Sequence, residues 1–354
     1  MLKRIVAAVL AIAAVLCIGG CSGKGSSSEK QTQKLVVFKT ETDGKSAVGA
    51  YELQVNLAEH SLSLGSDTIY EIEDSSSLEP SRIFPQYMSP AFLVLRTNPL
   101  ASKYDAVKVS EDNKSLYFEE YILQFDDENF TFQISKNGEI LCKNVSLVQN
   151  GKQLMPVSFF VDKDGKIAIL CMTAASLMDT EMVSVLYAKN GESYTPEKIC
   201  EYPTVWEDYD LSKVNCPNYL ASAANVAANP ETGVFLYNET VKLLVVSPYD
   251  GSVECVLDEK KVTSDMPYLD AHRESYSFFN GFGYQNGYYA AAFPAFNSPA
   301  GAYAVFYTSK GEYAGCILCG AEGITLFDSE NKQLDKIEGS FLPQIYVPSY
   351  FGKG

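Results

Sequence analysis

Thr240–Asp258 reads TVKLLVVSPYDGSVECVLD. Two β-branched, apolar runs, 241–247 and 252–257, flank the turn Pro248-Tyr249-Asp250-Gly251. Asp-Gly between such runs predicts a β-hairpin, because Gly accepts the positive φ that tight turns demand. The same device recurs at Lys136-Asn137-Gly138, Lys189-Asn190-Gly191 and Ser309-Lys310-Gly311. The four glycines, 138, 191, 251 and 311, stand 53, 60 and 60 residues apart. A second hairpin precedes each one, turning near Asn113, Gly165, Gly233 and Gly287. The predicted unit is therefore four antiparallel strands in sequence, with copies over 104–145, 157–202, 221–258 and 275–319.

Upstream, Leu35–Thr40, Val48–Leu57, Ser61–Leu64 and Thr68–Ile72 read as four more strands. A further short strand is expected at Ala91–Arg96, after a Ser/Pro-rich loop. Gly323–Ile337 supplies a last hairpin at Asn331. Hardly any stretch keeps a helical period, and 23 Tyr and 19 Phe suit strands. Four-stranded repeats of 40–60 residues predict a β-propeller of five to seven blades, since a lone blade cannot bury its two faces. The strands after Gly323 would complete the first blade and close the ring. A β-sandwich or irregular all-β fold is the alternative.

The hairpin stretch and its spacing resemble bacterial propellers of the TolB/WD40-like kind, over residues 104–319 at the level of pattern. The resemblance implies an architecture found in surface lipoproteins, some of them tied to solute uptake. It carries over no functional residue, since no WD dipeptide, Kelch glycine pair or tryptophan-docking motif is present.

At the N-terminus, Lys3 and Arg4 precede the apolar run Ile5–Ile18, then Gly19-Gly20-Cys21. Such a run is too short for a transmembrane helix and fits a secretory signal. Ile18-Gly19-Gly20-Cys21 resembles the bacterial lipoprotein cleavage box, which implies residues 1–20 as signal peptide and Cys21 as the lipidated first residue. Ser22–Lys34 is a polar Gly/Ser-rich tether, leaving 35–354 as one propeller domain. The expected location is the extracytoplasmic face of a membrane, held by acyl chains. Cleavage would remove two of 28 basic residues and no acid, and 26 against 44 leaves −18. That charge excludes a nucleic-acid binder, which needs a basic face.

The search for chemistry returns little. His60 and His272 are the only histidines, and neither G-x-S-x-G nor H-E-x-x-H occurs. Asp162-Lys163-Asp164-Gly165 has the wrong ligand positions for a calcium loop, and Gly281–Gly287 lies between strands rather than opening a helix; both read as turns. The seven cysteines beyond Cys21 sit mostly in apolar runs, and Cys316-Ile317-Leu318-Cys319 reads as buried strand before redox or zinc site. No cofactor or metal is expected. The loop Trp206-Glu207-Asp208-Tyr209-Asp210 is the least ordinary in composition. Its single indole among carboxylates is the candidate ligand-binding site, for a small molecule, glycan or protein. Two functions follow: a non-enzymatic, tethered binding propeller, favoured by the missing nucleophile and metal motifs, or an extracytoplasmic hydrolase or lyase working with paired carboxylates on polysaccharide or peptide.

Overall fold

The computed structural model describes residues 32–40, 48–72, 107–110, 114–173, 181–202, 226–230, 232–239, 242–266, 281–293 and 301–348. Most of them lie in strands. Sheet I holds β1 (Thr32–Thr40), β2 (Val48–Asn56) and β3 (Ser61–Ile72). Sheet II holds β4 (Val107–Val109), β5 (Ser115–Phe118), β6 (Tyr121–Asp126), β7 (Thr131–Lys136) and β8 (Glu139–Ser146). Sheet III is formed by β9 (Val148–Gln149), β10 (Lys152–Val161), β11 (Ile167–Thr173), β12 (Met182–Asn190) and β13 (Ser193–Tyr202). Sheet IV is β14 (Val226–Asn229), β15 (Val234–Glu239), β16 (Lys242–Val246) and β17 (Val253–Asp258), followed by the short helix α1 (Glu259–Asp265). Sheet V is β18 (Phe282–Gln285), β19 (Tyr288–Phe293), β20 (Ala302–Thr308), β21 (Tyr313–Gly320), β22 (Gly323–Phe327) and β23 (Gln333–Ile337). The last strand, β24 (Phe341–Tyr346), returns to sheet I and pairs with β1.

All pairings are antiparallel between neighbours in sequence, apart from that return. The sheets pack face on face in series. One core joins II, III and IV, with Phe132, Phe159, Phe160, Tyr187 and Phe235 fully or almost fully buried. A second joins IV to V, and a third joins V to I. Sheet V is buried on both sides: Ala290, Ala292, Ala304 and Phe306 face I, while Ala291, Val305 and Tyr307 face IV. The period of two puts alternate side chains on opposite faces, so a strand covered on both reads as one apolar run. Serial antiparallel sheets, each covering the next, with the chain's last strand completing the first sheet, make this a β-propeller.

The glycine spacing marks real turns. Gly138, Gly191, Gly251 and Gly311 all have positive φ and each joins the third and fourth strands of its unit. Asn137-Gly138 and Asn286-Gly287 have φ of 48/84 and 51/85, the paired positive values of a type I′ hairpin.

Four expectations shift. The strand expected to begin at Leu35 begins at Thr32, because Gln33 is buried against β18 rather than solvated in a tether. Ser61–Ile72 is one strand, not two; bulges against β2 absorb the polar 65–67 stretch and let the ladder run on. In sheet II, β4 and β5 pair on either side of the hairpin expected near Asn113, itself outside the described residues, but the chain then makes a further, unexpected turn at Glu119-Glu120, where Glu119 has φ 51. Lys136 and Asn137 hold that turn by bonding the Glu120 carboxylate, a tertiary aid that no local signal announces. Finally, the sheets carry four to six strands rather than a uniform four.

Candidate functional site

In each four-strand unit the first-to-second and third-to-fourth turns share one end. Contacts between sheets III and IV and between V and I bring those ends together. Tyr249, in the β16–β17 turn, donates its hydroxyl to Asp162 in the β10–β11 turn at 2.7 Å. Asn286, in the β18–β19 turn, donates to the Thr32 carbonyl at 2.5 Å. We call this the hairpin end. The connections between the second and third strands, and between one sheet and the next, leave from the other, the connector end. Residues 174–180, 203–225 and 294–300 join strands there and lie outside the described residues.

The sequence-predicted site, Trp206–Asp210, falls within 203–225, and Cys21 and His272 are likewise outside the described residues. The strands that bound 203–225 are described. Tyr202 ends β13 with its ring 3% exposed, and Val226 opens β14 equally buried. The Tyr202 hydroxyl donates to the Ser247 carbonyl at 3.0 Å, so the 2.6 Å contact with Ser184 Oγ is a bond donated by the serine. The Tyr202 ring faces that of Tyr237 across the seam, centroids 6.5 Å apart. Ser158, on the same seam-facing side of sheet III as Ser184, is fully buried and its Oγ has no hydrogen-bond partner. Burial raises the Tyr202 phenol well above an ordinary tyrosine. This hydroxyl-lined seam was missed in the sequence. Its signal was available: single serines, Ser158 and Ser184, set inside otherwise apolar strand runs.

At the rim of the same sheet, Lys152 Nζ holds two carboxylates, Glu181 at 2.6 Å and Glu201 at 3.2 Å. The bond that Lys152 donates to Glu181, then that to Glu201, raises the Lys152 pKa and keeps the ammonium charged. Each carboxylate is thereby tied to a cation rather than to its neighbour.

Other candidates resolve into structure. His60 is exposed in the β2–β3 turn with φ 54. Asp162 Oδ1 accepts the amides of Asp164 and Lys166 while Oδ2 takes Tyr249, so its oxygens hold the hairpin. Gly281–Gly287 enters the β18–β19 hairpin. Cys316 belongs to the core facing sheet IV and Cys319 to the core facing sheet I. Three residues apart on a strand, they point to opposite faces and cannot share a disulfide or a zinc ion. Burial pushes the Cys316 thiol up to about 12. Among the described residues no group of His, Cys, Asp and Glu is placed to hold a metal ion.

No protein-family model and no curated protein sequence matches the chain. Among solved structures, a 6-phosphogluconolactonase-like protein from Bacteroides fragilis is similar at 9% identity and TM-score 0.29, with 91% of this chain and 99% of that one covered. A protein of unknown function from Bacteroides caccae gives 10% identity and TM-score 0.27, covering 88% and 97%. A gluconolactonase from Xanthomonas campestris gives 9% and 0.24, covering 90% and 89%. At such scores the fold rests on the strand pairing described above.

Proposed function

We propose that the chain is a membrane-tethered, extracytoplasmic lipoprotein whose propeller binds a small-molecule, glycan or protein ligand without transforming it, through loops at its connector end. The observation that supports binding over hydrolysis is the Glu181–Lys152–Glu201 clamp. A hydrolytic carboxylate pair needs one acid protonated and one free to attack or activate water. Here the two carboxylates at the rim of sheet III are both engaged by one lysine rather than by each other. Loops carry selectivity in such a fold because strand interiors are committed to packing. Trp206, with Glu207, Asp208, Tyr209 and Asp210, supplies an aromatic face and acceptors for that role.

The test uses the single indole. Titration with sugars, peptides or calcium should shift or quench Trp206 fluorescence, and Trp206→Ala should weaken binding by about 1–3 kcal/mol, the scale of an aromatic anchor, at little cost to the fold. A protected, blue-shifted Trp206 whose removal unfolds the protein would assign it to the core. Release of hydrolysis products from the same ligands would replace binding with catalysis. Cys21→Ser should free the protein from membranes or block its maturation; membrane association unchanged from the parent removes the lipid anchor.

A further inference from the structure

We propose that the propeller stands on its hairpin end: an anchor at Cys21 draws that end toward the bilayer and presents the connector end outward. The proposal rests on the lipoprotein reading for the anchor, and on the described structure for the direction.

The direction comes from β1. Its first residues are fastened to the β18–β19 turn, which belongs to the hairpin end. Asn286 Nδ2 donates to the Thr32 carbonyl at 2.5 Å. Gln33, 1% exposed, donates from Nε2 to the Gln285 carbonyl at 2.8 Å. The Lys34 amide donates to Gln285 Oε1 at 3.1 Å. Three bonds and a buried amide side chain fix the point where the chain enters the fold, and freeing Gln33 would leave buried polar groups unpaired. From there β1 runs toward the connector end, between β2 and β24. The anchor therefore pulls on the hairpin end and on no other part.

Lengths decide whether that pull orients the body. Residues 22–31 separate Cys21 from β1. If that stretch is the tether its composition predicts, a Gly/Ser-rich chain of roughly ten residues would have an average reach of about 16–19 Å, and at most about 35 Å when fully extended. The ten residues of β10 cross the propeller from one end to the other, about 33 Å at the rise of a strand. The average reach is shorter than the body is tall. The hairpin end is then held close to the bilayer, and the connector end stands a body height further out.

Energy transfer between single positions and the membrane tests this. A fluorescent amino acid is placed at Asn190, an exposed hairpin-end position, or at Glu322, exposed in the β21–β22 turn at the connector end. The full lipidated chain is set in phosphatidylcholine vesicles carrying an acceptor on a trace of headgroups. A second arm replaces residues 1–21 with a histidine tag on vesicles holding nickel-chelating lipid. Transfer from position 190 should exceed that from 322 several-fold in both arms. Equal transfer, or the reverse order, overturns the proposal. If the lipidated chain fails to enter vesicles while the chelator arm keeps the 190-over-322 order, the lipoprotein reading falls and the direction set by β1 stands.

Discussion

Two seams between blades are built in different ways. Between sheets V and I the middle of the contact is apolar, Ala290, Ala292, Ala302, Ala304 and Ile317 meeting Leu35, Val37, Leu53 and Val55, and the bonds from Gln33 and Asn286 lie at its hairpin-end edge. Between III and IV, Phe160 packs on Phe235 at 5.0 Å, but hydroxyls of Ser158, Ser184 and Tyr202 are buried in the same layer. The difference follows from what else fixes each contact. Sheet I is joined to the end of sheet V by the chain itself, through β24, whose ladder with β1 sets the register. Side chains in the middle of that seam need only fill space. Sheets III and IV share no ladder. Directional bonds such as Tyr202 to the Ser247 carbonyl tell one sheet where to lie on the other, a role that dispersion between methyl groups cannot fill.

The largest expected effect breaks the apolar seam. Ending the chain after Gly339 removes β24, with Phe341, Ile345 and Tyr346 all buried. At about 1.5–3 kcal/mol for each large side chain, the loss is on the order of 5–9 kcal/mol, comparable to the whole stability of a domain. Thermal unfolding should lose its single cooperative transition. A truncated chain that melts at the parent's temperature would mean that the sheets fold independently of the closure.

A smaller change tests the spacing of that seam. Ala304 is fully buried on the face toward sheet I. Ala304→Leu adds three carbons where two sheets meet on alanine, and overpacking of this kind costs about 1–3 kcal/mol. Urea denaturation should show the midpoint falling with little change in slope. A cost below about 0.5 kcal/mol would show slack between the sheets.

How far the sequence carried can be judged from the same residues. Turn chemistry is local, so Gly138, Gly191, Gly251 and Gly311 announced their hairpins, and the count of units followed. The closure was legible in part, because an open edge needs a partner: β24 completes sheet I as expected, but the Gly323–Ile337 hairpin, expected in the same blade, extends sheet V instead. The Glu119-Glu120 turn was not legible, since neither residue favours positive φ and the fastening comes from Lys136 and Asn137 across the sheet. Gln33 read as tether because a polar residue in a polar run gives no sign of its partner Gln285, which lies 252 residues away. The Ser184–Tyr202–Ser247 chain was hidden for a related reason: one strand pairing and one inter-sheet contact bring its members together. For the candidate loop, composition singled out Trp206, while its setting depends on residues beyond the described part.

The hydroxylated seam should respond to pH. Burial raises the folded-state pKa of Tyr202, so its contribution is fully present below the ordinary tyrosine value of about 10 and is lost as pH rises above it. Tyr289, in the core between IV and V, is pushed up to about 12 by burial and adds to the same loss between pH 10 and 12. Tyr202→Phe removes the bonds with Ser184 and Ser247 and should cost about 1 kcal/mol near neutral pH. It should also flatten the fall in stability above pH 10. An unchanged alkaline slope in the variant would place the titration elsewhere.

Ser158→Ala is the finest probe, because here the expected sign reverses. Its Oγ is buried with no hydrogen-bond partner, and a hydroxyl stripped of water without compensation costs roughly 1–3 kcal/mol on mutational scales. Removing it relieves that cost and leaves a space of a single oxygen atom, whose lost packing offsets part of the gain. The net should be neutral to about 1 kcal/mol stabilising, against the loss expected for Tyr202→Phe three strands away in the same sheet. Denaturation of both variants, in parallel, separates the two kinds of hydroxyl. Destabilisation by Ser158→Ala of 1 kcal/mol or more would mean that Ser158 bonds a partner in solution, with a buried water between sheets III and IV the simplest one. The seam would then be held by water as well as by direct bonds. Its contrast with the alanine seam would widen.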